Sequence, residues 1–223
     1  DLASLKHASR TLDTLLAECR KYRLKVHLVE MITDAPTHAI CAIVEDESSI
    51  EPRFAFGLKA HRSLTHAAER AILEALRTRH AFRSSPERET WNPKTPIEHI
   101  GHRDRIFYWA HPEHAKQLVF LTQGPQKPMK AAAWERDTTE EHLTRLSSWL
   151  QSKGYEAVSV SLTHSKANPT PLHIEMVVAP ELLPTHLREE LRHLASTRLH
   201  AIPKQFGYTP REHPFTQAPH PYY

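Results

Sequence analysis

The chain of 223 residues carries 29 Lys and Arg against 26 Asp and Glu, with 39% hydrophobic residues. That length buries one sizeable or two small cores, and the composition excludes a disordered chain. No apolar run reaches the roughly 18 residues of a membrane span. A formal net charge of +3 is too slight to mark a nucleic-acid binder, which gathers basic residues on one face.

The opening Asp1-Leu2-Ala3-Ser4 offers no signal peptide. It also lacks a Met, so the expectation is a sequence that begins inside a longer protein or after processing. Cys19 and Cys41 form neither a disulfide framework nor a metal spacing, and a cytoplasmic setting is the default. The 18 histidines are scattered, with no H-x-x-x-H pair beside a carboxylate, so no zinc site is expected and most are read as surface residues. The five glycines include no phosphate-cradling loop.

Taken in chain order, residues 5–22 place Leu5, Leu12, Leu15, Leu16 and Cys19 at helical spacing. Residues 25–32 alternate and are rich in β-branched types, which predicts a strand. A turn at Thr33-Asp34-Ala35-Pro36 leads to a second strand, 38–44, antiparallel to the first. A short third strand follows at 53–57. Residues 65–81 form the strongest predicted helix, with Ala68, Ala71, Ile72, Ala75 and Leu76 as its apolar stripe. Segments 83–101 and 124–136 hold prolines and are expected as loops.

Helix and hairpin then recur. Thr-Thr-Glu-Glu opens a helix over 138–152, which Gly154 stops. Strands at 156–162 and 172–178 flank a turn at Asn168-Pro169. Two helix–hairpin units predict an α+β fold with a mixed or antiparallel sheet covered by helices. Residues 203–223, rich in Pro and aromatics, are expected to be extended. Trp91, Trp109, Trp134 and Trp149 are read as packing residues, since no basic cluster surrounds them.

Residues 57–79 read Gly-Leu-Lys-Ala-His-Arg-Ser-Leu-Thr-His-Ala-Ala-Glu-Arg-Ala-Ile-Leu-Glu-Ala-Leu-Arg-Thr-Arg. This resembles the YcaO-family pattern G-x-G-A-H-x-x-P-x-x-A-x-x-R-A-x-x-E-x-x-Q-x-R. Gly57, Ala60, His61, Ala67, Arg70, Ala71, Glu74 and Arg79 fall on matching positions. Arg77 stands where the family has Gln, and Lys59 replaces the middle Gly. Pro86-Glu87-Arg88-Glu89 is a loose version of the acidic turn that follows. The apolar run from Leu172 to Pro180 and the tail Pro219-His220-Pro221-Tyr222-Tyr223 match in order and spacing. The family's S-x-x-x-E-x-x-E-R helix and its second pair of glutamates are absent, so the chain resembles the C-terminal half of a YcaO domain.

The resemblance implies an ATP- and Mg²⁺-dependent enzyme that activates backbone amides of a precursor peptide, most often to form azolines. Thioamide formation, sometimes with a TfuA-like partner, and a silent peptide-binding or scaffold subunit stay open beside it. So do a leader-peptide-binding partner and a homodimer. Glu74 would hold Mg²⁺ or orient substrate, a carboxylate oxygen being the hard ligand Mg²⁺ takes. Arg79 would contact a phosphate through its planar fork. Arg77 would add a phosphate contact or mark a lost one. His61 stands beside the nucleotide or is a polar turn residue. Glu69 and Arg70 are surface charges or an intrahelical pair. The tail would return to the active site, bringing His220 close enough to act on a proton. Alone, the chain should bind ATP weakly, for want of the acidic motifs.

Overall fold

The computed structural model describes residues 2–48, 50–163, 172–210 and 217–222. A short 3-10 turn, Leu2–Leu5, precedes α1 (Arg10–Lys21). The predicted helix over 5–22 therefore starts later. Ser9 caps it by accepting from the Thr11 and Leu12 N–H groups, which satisfies donors that a helix start leaves open.

Three antiparallel strands follow: β1 (Leu24–Glu30), β2 (His38–Asp46) and β3 (Phe54–His61), in the order β1-β2-β3. Register runs from Leu24↔Asp46 to Glu30↔Ile40 and from His38↔His61 to Glu45↔Phe54. Alternation along β2 divides its side chains between two layers. Ile40, Ala42 and Val44 face one layer, Cys41 and Ile43 the other. Helices α1 and α2 (Leu64–Ser84) cover the first, where Leu12, Leu64, Ala67, Ala68, Ala71, Ile72 and Ala75 form its core. Small alanines along α2 let the helix lie close to the strands.

The second layer was not foreseen as helical. It holds α3 (Asp104–Ala110), α4 (Pro112–Ala115) and α5 (Phe120–Gln123), and Tyr108, Trp109, Ala115 and, from the 3-10 turn Lys116–Leu118, Leu118 pack on Cys41, Ile43, Phe54 and Phe56. Segment 83–101, read as loop, contains 3-10 turns Pro86–Glu89 and Ile97–His99.

α6 (Thr139–Ser152) carries the capping box that its sequence announces: Thr138 accepts from Glu141 N–H, and Glu141 accepts from Thr138 N–H. Gly154 stands beyond it at φ 69, the left-handed conformation that glycine adopts without strain. β4 (Val158–Ser161) and β5 (Glu175–Val178) form a separate two-stranded sheet rather than joining the first. Their pairing, Val158↔Val178 to Ser161↔Glu175, places Val158, Val160, Met176 and Val178 on one half-exposed face. Both described sheets are antiparallel, and the fold is α+β. The turn residues Asn168 and Pro169 lie outside the described residues.

α7 (Arg198–Gln205) contains Pro203, so the extended tail starts later than composition indicated. Pro203 is the sixth of its eight residues, so it offers no N–H to the Leu199 carbonyl, and the helix ends two residues later. No described helix is long and apolar enough to cross a membrane.

Candidate functional site

The site is organised where α2 crosses β3. A Cβ built on Gly57 would stand 2.1 Å from the Ala71 carbonyl oxygen and 2.4 Å from the Ala75 nitrogen. Only glycine permits that approach. It brings Glu74 over the open side of β3, where Glu74 Oε2 accepts from the Leu58 N–H at 2.9 Å. Leu58 is the register partner of Cys41. Among the described residues the other Glu74 oxygen accepts no hydrogen bond.

Beside Glu74, a shallow depression of about 670 Å³ is lined by Leu73, Glu74, Arg77, His80 and His102 along the outer side of α2. Arg77 is exposed there, and it makes no ion pair among the described residues. Arg79 is turned elsewhere. Five residues on from Glu74, it lies about 140° round the helix, and its Nη2 pairs with Asp46 Oδ2. Asp46 also accepts from Ser48 N–H and O–H, so this pair ties the β2–β3 connection to α2. Burial would raise the Asp46 carboxyl, but bonds from Ser48 and Arg79 hold it below the ordinary range.

His61 ends β3, and its Nδ1 accepts from Ser63 N–H at 3.0 Å. Its ring lies 4.3 Å from that of His66. Burial, and then the neighbouring His66, lower its pKa. Ten residues of helix, ~15 Å, separate the start of α2 from Glu74. Glu74 and Arg77 thus come together, while Arg79 and His61 do not join them.

The C-terminal segment returns to the second layer of the sheet. Tyr222 packs edge-on against Phe56, with ring centroids 6.4 Å apart, and its hydroxyl lies 3.8 Å from Met31 Sδ. Burial pushes the Cys41 thiol up to about 12; a hydrogen bond with Tyr222 opposes this and the Glu74 charge adds to it. Cys41 therefore feels both the Tyr222 hydroxyl and the Glu74 charge. Pro214, Phe215 and Tyr223 of the tail lie outside the described residues.

His220 Nε2 lies 2.9 Å from the His186 carbonyl oxygen, and its Nδ1 accepts from Tyr222 N–H at 3.3 Å. Burial, offset in part by the bond to His186, lowers its pKa to about 4. It is thus neutral at ordinary pH.

A buried ionic hub beneath this segment was not read from the sequence. Glu189 Oε1 accepts from Arg105 Nε at 2.9 Å, and Oε2 accepts from Arg192 Nε at 3.0 Å. His186 Nε2 lies 3.2 Å from Oε2. The side chains of Arg105 and Glu189 are wholly buried. The available signal was the run His186, Glu189, Arg192 at three-residue intervals.

Reading the remaining histidines as surface residues also needs correction. His38 is 4% exposed, with its Nε2 2.9 Å from Glu135 Oε1, and His142 is 9% exposed. The ligand atoms of His186, Glu189 and His220 lie within 4.8 Å of one another. Two guanidiniums already neutralise Glu189, so this cluster is built as an ion-pair hub rather than a cation site.

For a nucleotide and Mg²⁺, the donor set fits in part. Glu74 offers one uncommitted carboxylate oxygen, the hard ligand Mg²⁺ prefers, and Arg77 offers a fork suited to phosphate. Arg79 does not fit without breaking its pair with Asp46.

A family model described as YcaO cyclodehydratase, ATP- and Mg²⁺-binding, matches residues 1–183. No curated protein matches the sequence. Among solved structures, a heterocyclase in complex with substrate and cofactor superposes with a TM-score of 0.68 at 18% identity, over 100% of this chain and 28% of that one. The heterocyclase TruD gives a TM-score of 0.57 at 14% identity, over 96% of this chain and 27% of that one. The E. coli microcin synthetase McbBCD complex with pro-MccB17 bound gives 0.48 at 14% identity, over 76% and 41%. The chain thus spans about 28% of the length of the first of these.

Proposed function

The chain belongs to the YcaO cyclodehydratase family, and from that premise we propose that it takes part in ATP-dependent activation of a backbone amide in a ribosomally made peptide, giving an azoline. The observation that carries this reading is the placement of Glu74. Its carboxylate is fixed by one oxygen to Leu58 N–H, and Glu74 lines a depression together with Arg77.

In this reading Glu74 would hold Mg²⁺, and Arg77 would hold phosphate oxygens. ATP, when bound, supplies the phosphoryl group that makes the amide oxygen a competent leaving group. A Cys, Ser or Thr side chain of the peptide adds to the preceding amide carbon and gives up its proton. The amide oxygen then leaves with the phosphoryl group as phosphate while the amide nitrogen gives up its proton and forms the C=N bond, so the peptide loses the elements of water. In this reading His220 would accept a proton only after its Nδ1 gives up the bond it takes from the Tyr222 N–H.

A depression with one carboxylate holds only part of what Mg²⁺ and three phosphates require. This favours a second form of the same reading, in which further acidic groups come from polypeptide outside this chain. The heterocyclase that superposes over the whole chain is bound to substrate and cofactor. A precursor peptide, with a leader-peptide-binding or TfuA-like protein to deliver it, is the corresponding partner set here. A reducing, cytoplasmic location suits a peptide whose reacting groups include thiols.

The test is isotopic. A precursor peptide carrying heavy oxygen at the reacting amide is incubated with ATP, Mg²⁺ and the complete enzyme. Heavy oxygen appearing in the released phosphate, with loss of one water from the peptide, is the expected result. Phosphate without the label, or peptide without mass loss, overturns it.

A further inference from the structure

The C-terminal segment 217–222 rests on the hub by a set of bonds that share one carboxylate. Arg192 Nη2 donates to the Gln217 carbonyl at 2.6 Å and to the Ala218 carbonyl at 3.3 Å. The same Nη2 lies 2.8 Å from Glu189 Oε2. Arg105 Nη2 donates to the His186 carbonyl at 2.9 Å, and that carbonyl faces His220 Nε2. Arg192 thus holds Glu189 and two tail carbonyls at once, while Arg105 holds Glu189 and the His186 carbonyl that meets His220. Pro219, between the two sets of contacts, is fully buried.

We propose that Glu189 is a positioning residue for the C-terminal segment: with Arg105 and Arg192 it forms a charged socket that fixes residues 217–222, and through them Tyr222, against β2 and β3. This rests on the proposed amide-activating role only for its consequence, since the socket itself needs neither ATP nor peptide.

The physical reason is the sharing. Arg192 can reach the Gln217 and Ala218 carbonyls in one geometry because a buried carboxylate fixes its guanidinium. Arg105 is 0% exposed, and its Nη1 has no hydrogen-bond partner among the described residues. A buried guanidinium without its counter-ion is strongly disfavoured. Removing the Glu189 charge would turn both arginines away: the Gln217 and Ala218 carbonyls would lose Arg192, and the His186 carbonyl that meets His220 would lose Arg105. Apolar contacts of Tyr222 with Phe56 and Met31 remain as a weaker anchor.

The experiment compares the parent chain with Glu189→Gln, Arg192→Met and Arg192→Lys. Arg192 is at the rim of the hub, so its variants fold even if Glu189→Gln does not. Amide exchange is followed in 217–222, with 40–44 of β2 as the internal reference. Exchange at 217–222 should rise at least about tenfold in Glu189→Gln and Arg192→Met while β2 stays protected. Arg192→Lys should restore part of the protection.

A spectroscopic reading accompanies it. Burial pushes the Tyr222 hydroxyl well above its ordinary range and raises Tyr108 as well, so the late-titrating phenol of Tyr222 is assigned by difference. That phenol should titrate with the exposed ones in Arg192→Met, and its signal should be missing in Tyr222→Phe. Equal protection of 217–222 in all variants would overturn the proposal, leaving Tyr222 and Pro219 as the anchor. Loss of protection when a chelator is added to the parent would also overturn it, in favour of a bound metal. Loss of peptide modification with these exchange results intact would count against the function and not against the socket.

Discussion

Gly57 on β3 and Ala71 on α2 approach so closely that the smallest side chain at Gly57 would meet the Ala71 carbonyl oxygen at 2.1 Å. The obstacle is backbone, which cannot rotate away. Gly57→Ala should therefore displace α2 from β3 and cost ~1–3 kcal/mol, as overpacking does. Urea unfolding of the variant measures it. Because Glu74 moves with α2, its bond to Leu58 should be lost in the same variant.

Arg77 and Arg79 lie two residues apart and should respond oppositely. Arg79→Met leaves Asp46, with a side chain 1% exposed, as a buried carboxylate without its charged partner. The expected loss is ~3 kcal/mol. Arg77→Met, at an exposed position without an ion pair among the described residues, should change stability by less than ~0.5 kcal/mol. Paired melting curves check both. Comparable losses would show that Asp46 does not depend on Arg79.

Glu74→Gln keeps a carbonyl oxygen for Leu58 N–H and removes the charge that would meet Mg²⁺. Stability should change little, while ATP-dependent peptide modification by the complete enzyme should fall at least about tenfold, ~1.4 kcal/mol of transition-state stabilisation. Modification rates at saturating Mg²⁺ are the measurement. An unchanged rate would remove Glu74 from the site.

These contrasts mark what the sequence made legible. Helix α2 was readable because Ala68, Ala71, Ile72 and Ala75 recur on one face, and α6 because Thr138 and Glu141 announce a capping box. Segment 104–123 was not, since α3, α4 and α5 are short pieces whose burial comes from packing on β2 and β3 rather than from a helical period. Glu74 was singled out by resemblance, but its bond to Leu58 depends on the crossing at Gly57, which no spacing reveals. Arg79 was matched by position alone; Asp46, 33 residues away, decides where it points. Arg105 and Glu189, 84 residues apart, look like ordinary surface charges until the fold buries them together.

The last expectation concerns pH and His220. Its folded pKa is lowered to about 4 from an ordinary 6.5, chiefly by burial, with the bond to His186 opposing and the Arg105 charge adding to the shift. The sign follows from which state binds the proton. Between about 6.5 and 4 the unfolded chain takes up a proton that the folded chain refuses, so falling pH favours unfolding. The stability held by neutral His220 is fully present above the upper value and is lost across this window, by up to about 3 kcal/mol. Glu189 faces His220, and bonds from His186 and Arg105 overcome its burial to keep its carboxyl below the ordinary range. Its own contribution is thus present above the ordinary carboxylate range and fades only in stronger acid. Urea midpoints measured across this window should fall steadily in the parent chain. His220→Gln keeps an N–H for the His186 carbonyl but cannot titrate, and its midpoints should fall less over the same range. Parallel pH profiles for the two chains would mean that His220 is protonated in the folded protein, and that the tail does not bury it as a neutral base.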